Sequence, residues 1–272
     1  MHAELSRIDA ADVLELRFAA EEELGAGLAL LRDGADGDSV PIPDVEREGR
    51  VLRARLADLP LEDGTWNVVS IDRSGRPAPV LTRDSGLSLS GRFDYVRQRR
   101  TRDLRTIRDP RGRLRLVTSS VTPYAEVEWV EVGTDTITVS GFFAYTAGGD
   151  GAAVGEVVAR QRSLDGVVTA PAALDGDAFR CAIPLEPIAG AHEPERKHNE
   201  WDLWLRTPDD RAELRLASHA DDVVGKKGKV VFARADLAGG GGDGGPAVRI
   251  RPYYTVKDEF SLLATERNEA SA

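Results

Sequence analysis

The stretch Gly64-Thr-Trp-Asn-Val-Val69 has a counterpart later in the chain, Asn199-Glu-Trp-Asp-Leu-Trp204. Both read as a β-strand with alternate apolar side chains and a tryptophan at the same place. Short runs of this kind recur between clusters of Gly, Asp, Pro and Ser, which is typical of antiparallel sandwiches and barrels. The pattern therefore predicts an all-β fold, with Trp66 and Trp201 as matching core residues.

Other strand-like segments match in the same order, which indicates an internal duplication. The matched pairs are Leu14–Leu16 with Ile137–Val139, Leu28–Leu30 with Val157–Ala159, Leu52–Leu61 with Phe179–Ile188, and Leu114–Thr118 with Ser261–Thr265. Longer loops in the second half explain the growing offset, and they cost little loop-closure free energy. We expect two tandem immunoglobulin-like β-sandwich domains, at 10–120 and 121–266, followed by a polar tail at 267–272.

The composition limits the chemistry and the partners open to the chain. A single cysteine, Cys181, excludes a disulfide framework and a multi-cysteine metal site. The 46 acidic residues against 36 basic ones give a net charge of −10, which argues against general nucleic-acid binding. No apolar run is long enough for a signal peptide or a membrane helix, so we expect a cytoplasmic protein.

No catalytic constellation stands out among the polar residues. His192 and His198, with their neighbouring glutamates, match no compact zinc spacing. The aspartates of 33–44 miss the ligand positions of an EF-hand. We therefore predict no metal and no cofactor. A hydrolase or transferase with paired carboxylates stays open, because a separation of about 5–10 Å between two acids is not visible in a sequence.

One feature that points to binding is the segment Arg92–Arg115, which holds ten arginines and three aspartates in an otherwise acidic chain. Arginine pairs with phosphate or carboxylate through two N–H groups, so this segment can present an anion-binding surface. The predicted basic ribbon consists of Arg97, Arg99, Arg100 and Arg102. The alternative is that acidic residues of the same chain or of another subunit neutralise the run.

The other feature is Trp204. Because alternate residues of a strand point to opposite faces, Trp201 and Trp204 cannot face the same core. Trp204 is therefore predicted to lie on the outer face and to contact another domain, a subunit or a sugar. Burial of Trp204 under a loop is the alternative.

The element Trp201-Asp-Leu-Trp-Leu-Arg206 and the closing hairpin Arg249–Leu263 resemble modules of a known family. These are the small β-sandwich modules that follow the catalytic domain in bacterial glycosyltransferases and glycerophosphotransferases of wall teichoic acid. The first half shares the resemblance only through Gly64–Trp66 and the hairpin Arg108–Gly112. In that family the tandem modules serve oligomerisation, and the catalytic nucleotide-sugar domain has no counterpart in this chain.

The resemblance implies a non-catalytic accessory or assembly module that acts with enzymes of surface-polymer synthesis. Its partner would be another protein or a second copy of itself. A glycan- or polyanion-binding protein that uses the basic ribbon and Trp204 is the first alternative. A β-sandwich hydrolase or transferase with an acidic pair not yet located is the second.

Overall fold

The structure of the chain, a computed structural model, describes residues 1–20, 25–34, 39–86, 91–149, 151–208, 213–237 and 247–267. Strand residues make up 56% and helical residues 4%, which confirms the all-β class. The chain divides into two compact units, unit 1 (Met1–Thr122) and unit 2 (Pro123–Ala272). In the described part, no helix is both long enough and apolar enough to cross a membrane.

Unit 1 consists of short strands and one helical turn. Its elements are β1 (His2–Ile8), β2 (Val13–Phe18), β3 (Gly27–Arg32), β4 (Ser39–Ile42), β5 (Val45–Glu48), β6 (Val51–Arg55), β7 (Gly64–Ile71), β8 (Pro77–Pro79), β9 (Leu81–Thr82), α1 (Arg92–Val96), β10 (Arg102–Arg108) and β11 (Leu114–Ser120). One sheet has the order β5-β6-β2-β1-β9, and the other has the order β10-β11-β7-β3-β4, with β8 also paired to β7. Alternate apolar residues such as Leu14, Leu16, Trp66 and Val68 are buried.

Three turns of unit 1 are built on aspartates. Asp9, Asp72 and Asp109 each accept hydrogen bonds from the backbone N–H groups two and four residues ahead. Such side-chain-to-backbone bonds stabilise turns and explain why the Asp and Gly clusters mark the strand ends. In the turn after Asp109, Gly112 has a φ of +78°, a conformation that favours glycine.

Unit 2 has longer strands. Its elements are β12 (Tyr124–Val132), β13 (Thr136–Ala144), β14 (Ala152–Gln161), β15 (Val167–Asp175), β16 (Ala178–Pro184), α2 (Glu186–Gly190), β17 (Asn199–Arg206), β18 (Glu213–Ala217), β19 (Ala235–Leu237), β20 (Val248–Tyr254) and β21 (Phe260–Glu266). Seven strands close into a barrel-like ring, β14-β15-β16-β13-β12-β18-β17, because β17 also pairs with β14. Strands β21, β20 and β19 extend from β17.

A β-bulge in this ring, at a close backbone contact, determines which way Trp129 points. The pairing of β12 with β13 shifts register between Val127 and Trp129. At this bulge the carbonyl oxygen of Glu126 lies 1.7 Å from where a Cβ on Gly141 would be, so only glycine fits there. After the extra residue, Val130 packs against the core, while Trp129 is 63% exposed.

The same pairings occur in both units. The pairs β1–β2, β2–β6, β3–β7, β7–β11 and β10–β11 of unit 1 correspond to β12–β13, β13–β16, β14–β17, β17–β21 and β20–β21 of unit 2. The parallel pair β1–β9 likewise corresponds to β12–β18. Trp66 is paired with Leu116 and Trp201 with Leu262, and both tryptophans are buried. The matched segments 64–69 and 199–204 therefore lie on strands β7 and β17.

Candidate functional site

Arg100, one of the four predicted ribbon residues, is bound inside unit 1. Its guanidinium carbon lies 3.7 Å from the centre of the Tyr95 ring, and its Nη1 donates to Asp12 Oδ1 at 2.6 Å. The side chain also donates to the carbonyl oxygens of Tyr95 and Ala10. Tyr95 in turn donates its hydroxyl to Asp12 Oδ1 at 2.9 Å. The Arg100 side chain is only 9% exposed, so most of its donors are used by the fold.

Arg102 has a similar role at the start of β10. Its guanidinium donates to the carbonyl oxygens of Leu56, Ala57 and Leu59 at 2.8, 2.6 and 2.7 Å. These carbonyls lie just after β6, where the chain leaves the sheet, and those of Leu56 and Leu59 also accept backbone N–H groups of the following turn. Arg102 therefore satisfies backbone acceptors, whereas the side chain of Arg99 is exposed to solvent.

Other arginines of the basic segment form ion pairs. Arg92 donates to both oxygens of the buried Asp103 at 2.5 and 3.1 Å, and Arg105 donates to the same carboxylate. Burial would raise the pKa of Asp103, but the hydrogen bonds and charges of these arginines outweigh it and hold the pKa below its usual value. Part of the local charge is thus neutralised within unit 1. A binding role for Arg97, Arg99, Arg100 and Arg102 stays a prediction.

Trp204 lies on the outer face of β17, as the strand alternation predicts, while Trp201 is fully buried. The indole of Trp204 is stacked between two guanidinium groups. The Arg160 carbon is 4.8 Å and the Arg215 carbon 4.9 Å from the ring centre. The cover of Trp204 therefore comes from arginines of its own unit, and contact with a ligand or subunit stays a prediction.

Ion pairs surround Trp204 on this face. Glu213 accepts from Arg160 at 2.6 Å and from Arg206 at 2.8 Å, and these hydrogen bonds, that of Arg160 first, lower the pKa of Glu213 to about 2. Asp202 accepts from Arg162 and Arg215 at 2.5 and 3.0 Å. Cations and carboxylates alternate, so this face is electrically balanced and holds the indole in one place.

A different face of unit 2 is uncovered. It is the outer surface of the sheet β12-β13-β16-β15-β14, referred to below as the Trp129 face. One row of side chains crosses this face, in which each residue is paired with the next across neighbouring strands. It consists of Trp129 on β12, Ser140 on β13, Arg180 on β16, Ala173 on β15 and Val154 on β14. Trp129 and Val154 are 63% and 70% exposed, and between them lie the small side chains of Ser140 and Ala173 and the exposed Arg180. The alternation of strand residues in the sequence does not single out Trp129.

The Trp129 face also carries charges of both signs. In the next row Glu131 on β12 is opposite Thr138, which is opposite Ala182 on β16. Glu131 and Arg180 are both exposed. Among the described residues, neither has an ion-pair partner. An uncovered tryptophan beside small side chains and unpaired charges is the pattern of an interaction surface.

Amide side chains hold the loop between α2 and β17, which contains His192 and His198. Asn199 is buried, and its Nδ2 lies 2.9 Å from His192 Nδ1, while Gln161 donates to Asn199 Oδ1 at 2.6 Å. Burial lowers the pKa of His192. Within the described ranges, no three His, Cys, Asp or Glu side chains come together as metal ligands. Asp36 and Asp38 lie outside the described residues.

Comparison with known proteins gives a short result. No protein-family profile and no curated protein matches the chain. A structure of S. aureus TarS 217–571 is similar at 15% identity and a TM-score of 0.40, over 65% of this chain and 50% of that one. Another structure of S. aureus TarS has the same identity and TM-score, over 66% of this chain and 33% of that one. The S-layer protein rSbsC(31–844) is similar at 8% identity and a TM-score of 0.21, over 99% of this chain and 51% of that one.

TarS is a teichoic acid glycosyltransferase, from the family that the sequence motifs at 201–206 and 249–263 resemble. Two structures of a member of that family are thus among the solved structures to which the chain is similar. The chain spans a third to a half of the length of the TarS structures that it matches.

Proposed function

We propose that the chain is a non-catalytic assembly module that self-associates through the Trp129 face of unit 2. It consists of two tandem immunoglobulin-like sandwiches that arose by duplication, and it acts in the cytoplasm beside transferases that build teichoic-acid-like polymers. The sequence motifs of Trp201–Arg206 and Arg249–Leu263 support the link to those enzymes. The shared strand pairings of the two units support the duplication.

The exposed Trp129 is the observation that carries the proposal. A tryptophan that is 63% exposed beside small side chains leaves a large apolar area in water. Buried tryptophans are among the residues that contribute most to protein–protein binding. Burial of Trp129 against another protein surface would therefore stabilise a complex.

The charges of the same face favour a second copy of the chain as the occupant. A two-fold interface brings one patch against itself, so the patch must be self-complementary. Arg180 and Glu131 lie on this face in neighbouring rows, both exposed and without an ion-pair partner among the described residues. In a two-fold dimer each Arg180 can meet Glu131 of the other copy, and the contact occurs twice. A face with charges of only one sign would repel its own copy.

Sedimentation equilibrium of the whole chain over a range of concentrations tests the proposal. We expect a reversible dimer, and Trp129→Ser should weaken it by about thirtyfold or more, as expected for loss of an interface tryptophan. Val256→Ser is the matched control, because Val256 is 74% exposed but lies in the turn between β20 and β21. This control should dimerise like the wild type.

Two results would contradict the proposal. One is a chain that stays monomeric at every concentration. The other is a dimer that Trp129→Ser and Val256→Ser affect equally. A thermal unfolding curve shows that each variant is folded before its mass is interpreted.

A further inference from the structure

A pocket of about 540 Å³ lies on the outer face of unit 1. Its floor is formed by strands β3, β7 and β11, where Leu31 pairs with Asn67 and Asn67 pairs with Arg115. Pro77 and Pro79 of β8 form one wall, and the hairpin 109–113 between β10 and β11 forms the other. Val69, paired with Pro79, completes an apolar part of the floor. The pocket is lined by side chains of unit 1 alone.

The hairpin holds two arginines over this pocket. Asp109 Oδ1 accepts the backbone N–H groups of Arg111 and Arg113 at 2.8 and 2.9 Å, which fixes the turn. No described residue takes a hydrogen bond or ion pair from either guanidinium group. Arg111 is exposed and Arg113 half-buried, so two arginines with uncommitted donors line the same space. This differs from Arg100 and Arg102, whose donors are used inside the fold.

A third arginine leaves one donor unused. Arg115 is bound to Asn67 and to Asp33, the latter at 3.0 Å, and its side chain is 16% exposed. Its Nε is buried and has no hydrogen-bond partner among the described residues, since the nearest carboxylate oxygen, on Asp109, is 4.0 Å away. A buried donor without an acceptor is unfavourable, so the bonds of Arg115 to Asn67 and Asp33 hold this side chain in place at some cost.

We propose that the pocket binds a phosphorylated sugar. Arg111 and Arg113 would bind the phosphate, because guanidinium groups match its oxygens with two parallel N–H donors. The carboxylates of Asp33 and Asp109 accept hydrogen bonds from sugar hydroxyls. None of the described residues that line the pocket is aromatic, so none of them can stack on a nucleobase, whereas the two prolines offer an apolar surface to the C–H face of a sugar.

This site goes beyond the proposed assembly function and lies in the other unit. The two proposals can therefore fail separately: the pocket is tested by ligand binding, and the assembly function by molecular mass. The same chemistry occurs in a free sugar phosphate and in a sugar unit of a phosphodiester polymer. Two probes distinguish these sources, glucose 6-phosphate and its methyl phosphodiester.

Isothermal titration calorimetry of the whole chain tests the pocket with four probes: glucose 6-phosphate, its methyl phosphodiester, glucose and inorganic phosphate. We expect saturable binding of one or both phosphate esters, at least about tenfold tighter than that of glucose or inorganic phosphate. Arg111→Ser and Arg113→Ser should each weaken binding about tenfold. Arg251→Ser, an exposed arginine of unit 2, is the matched charge control and should bind like the wild type.

A further variant blocks the pocket without removing charge. Val69 is 4% exposed, so the larger indole of Val69→Trp should raise the floor into the pocket. A thermal unfolding curve shows that this variant is folded, and the substitution should abolish binding while both arginines stay in place. Equal binding of inorganic phosphate and the sugar phosphates would overturn the proposal. So would binding that persists in Val69→Trp, that falls as much in Arg251→Ser as in Arg111→Ser, or that is absent from the wild type.

Discussion

The outer faces of strands β7 and β17 occupy the same place in the two units but are used differently. On β7, Val69 stands three positions after the buried Trp66 and forms part of the floor of the pocket. On β17 the residue at the corresponding position is Trp204, stacked between Arg160 and Arg215. Unit 1 thus has an open pocket at this position, whereas unit 2 has the indole of Trp204 there. A shared strand topology leaves the surface chemistry free to diverge, because outward side chains do not contribute to the core.

The two units also differ in how their sheets close. In unit 1 the chain after β3 forms two separate strands: β4 pairs with β3, and β5 pairs with β6. In unit 2 the single strand β15 pairs with both β14 and β16 and closes the ring. Pro43 stands at the break between β4 and β5. The closed ring leaves fewer open strand edges in unit 2.

The largest expected effects are at the two core tryptophans. Trp66→Ala and Trp201→Ala should each lower the free energy of unfolding of their own unit by about 3–5 kcal/mol, because each leaves a large cavity in a packed core. Thermal unfolding by calorimetry checks both variants. A wild-type unfolding curve for either variant would break the correspondence between β7 and β17.

Arg100 gives the next largest effect, in unit 1. Arg100→Ser should destabilise unit 1 by about 3 kcal/mol, because it leaves Asp12 as a mostly buried carboxylate without its cation. Urea unfolding measures the change, and Arg99→Ser, an exposed neighbour, is the control and should change stability little. If Arg100→Ser leaves stability unchanged, the stacked Arg100 is not a structural element of unit 1, and the anion-binding hypothesis for the basic ribbon gains support.

Exchanging the side chains at the compared position gives a smaller effect. Trp204→Val should cost unit 2 about 1–2 kcal/mol, because two cation–π contacts are lost from a half-buried site. Val69→Trp should destabilise unit 1 by about 1–3 kcal/mol, because Val69 is only 4% exposed and the larger indole must displace its neighbours. Urea unfolding checks both variants. A wild-type unfolding curve for Trp204→Val would show that the two arginine contacts do not stabilise unit 2.

The smallest effect concerns pH and the ion pairs around Trp204. Because hydrogen bonds from Arg160 and Arg206 lower the pKa of Glu213 to about 2, the folded chain holds this proton less tightly than the unfolded chain. The stabilisation is therefore complete above the unfolded pKa of about 4.3 and is lost as the pH falls towards 2. For a partly exposed group the effect should stay below about 1 kcal/mol.

Thermal unfolding between these pH values checks this prediction. The wild type should lose more stability on acidification than Glu213→Gln, because the amide cannot titrate. Glu186→Gln, a change at an exposed residue of α2, should follow the wild type. Identical pH slopes for all three would mean that Glu213 is not held by its arginines.

Much of the fold could be predicted from the sequence because alternation is a local property of a strand. It placed Trp66 and Trp201 in cores and Trp204 on an outer face, and the ordered matches between the halves correspond to paired strands in the two units. Trp129 could not be predicted in the same way. A bulge after Val127 shifts the alternation by one residue. The close approach of Glu126 to Gly141 at this bulge is a contact between two different strands, which the local pattern of one strand does not show.

The binding candidates show a similar limit. The basic segment is visible as a charge run, but the partners of Arg100 and Arg102 come from β1, β2 and β6 and their loops, so composition cannot show which donors are already used. The pocket is lined by Arg113 of the hairpin, Arg115 of β11 and Pro79 of β8, and the sequence does not show that these segments are neighbours. The hairpin at Asp109 was recognisable from its Asp-Pro-Arg-Gly sequence, and that was the available signal.

Charge reversal across the Trp129 face tests the assembly function most directly. Sedimentation equilibrium is measured for Arg180→Glu, for Glu131→Arg and for the variant that carries both changes. Each single change should weaken the dimer, because two like charges then meet at both symmetric contacts, and the double variant should restore it. If the single variants dimerise like the wild type, or if the double variant is weakened as much as the sum of the two single changes, the Trp129 face is not the interface between two copies.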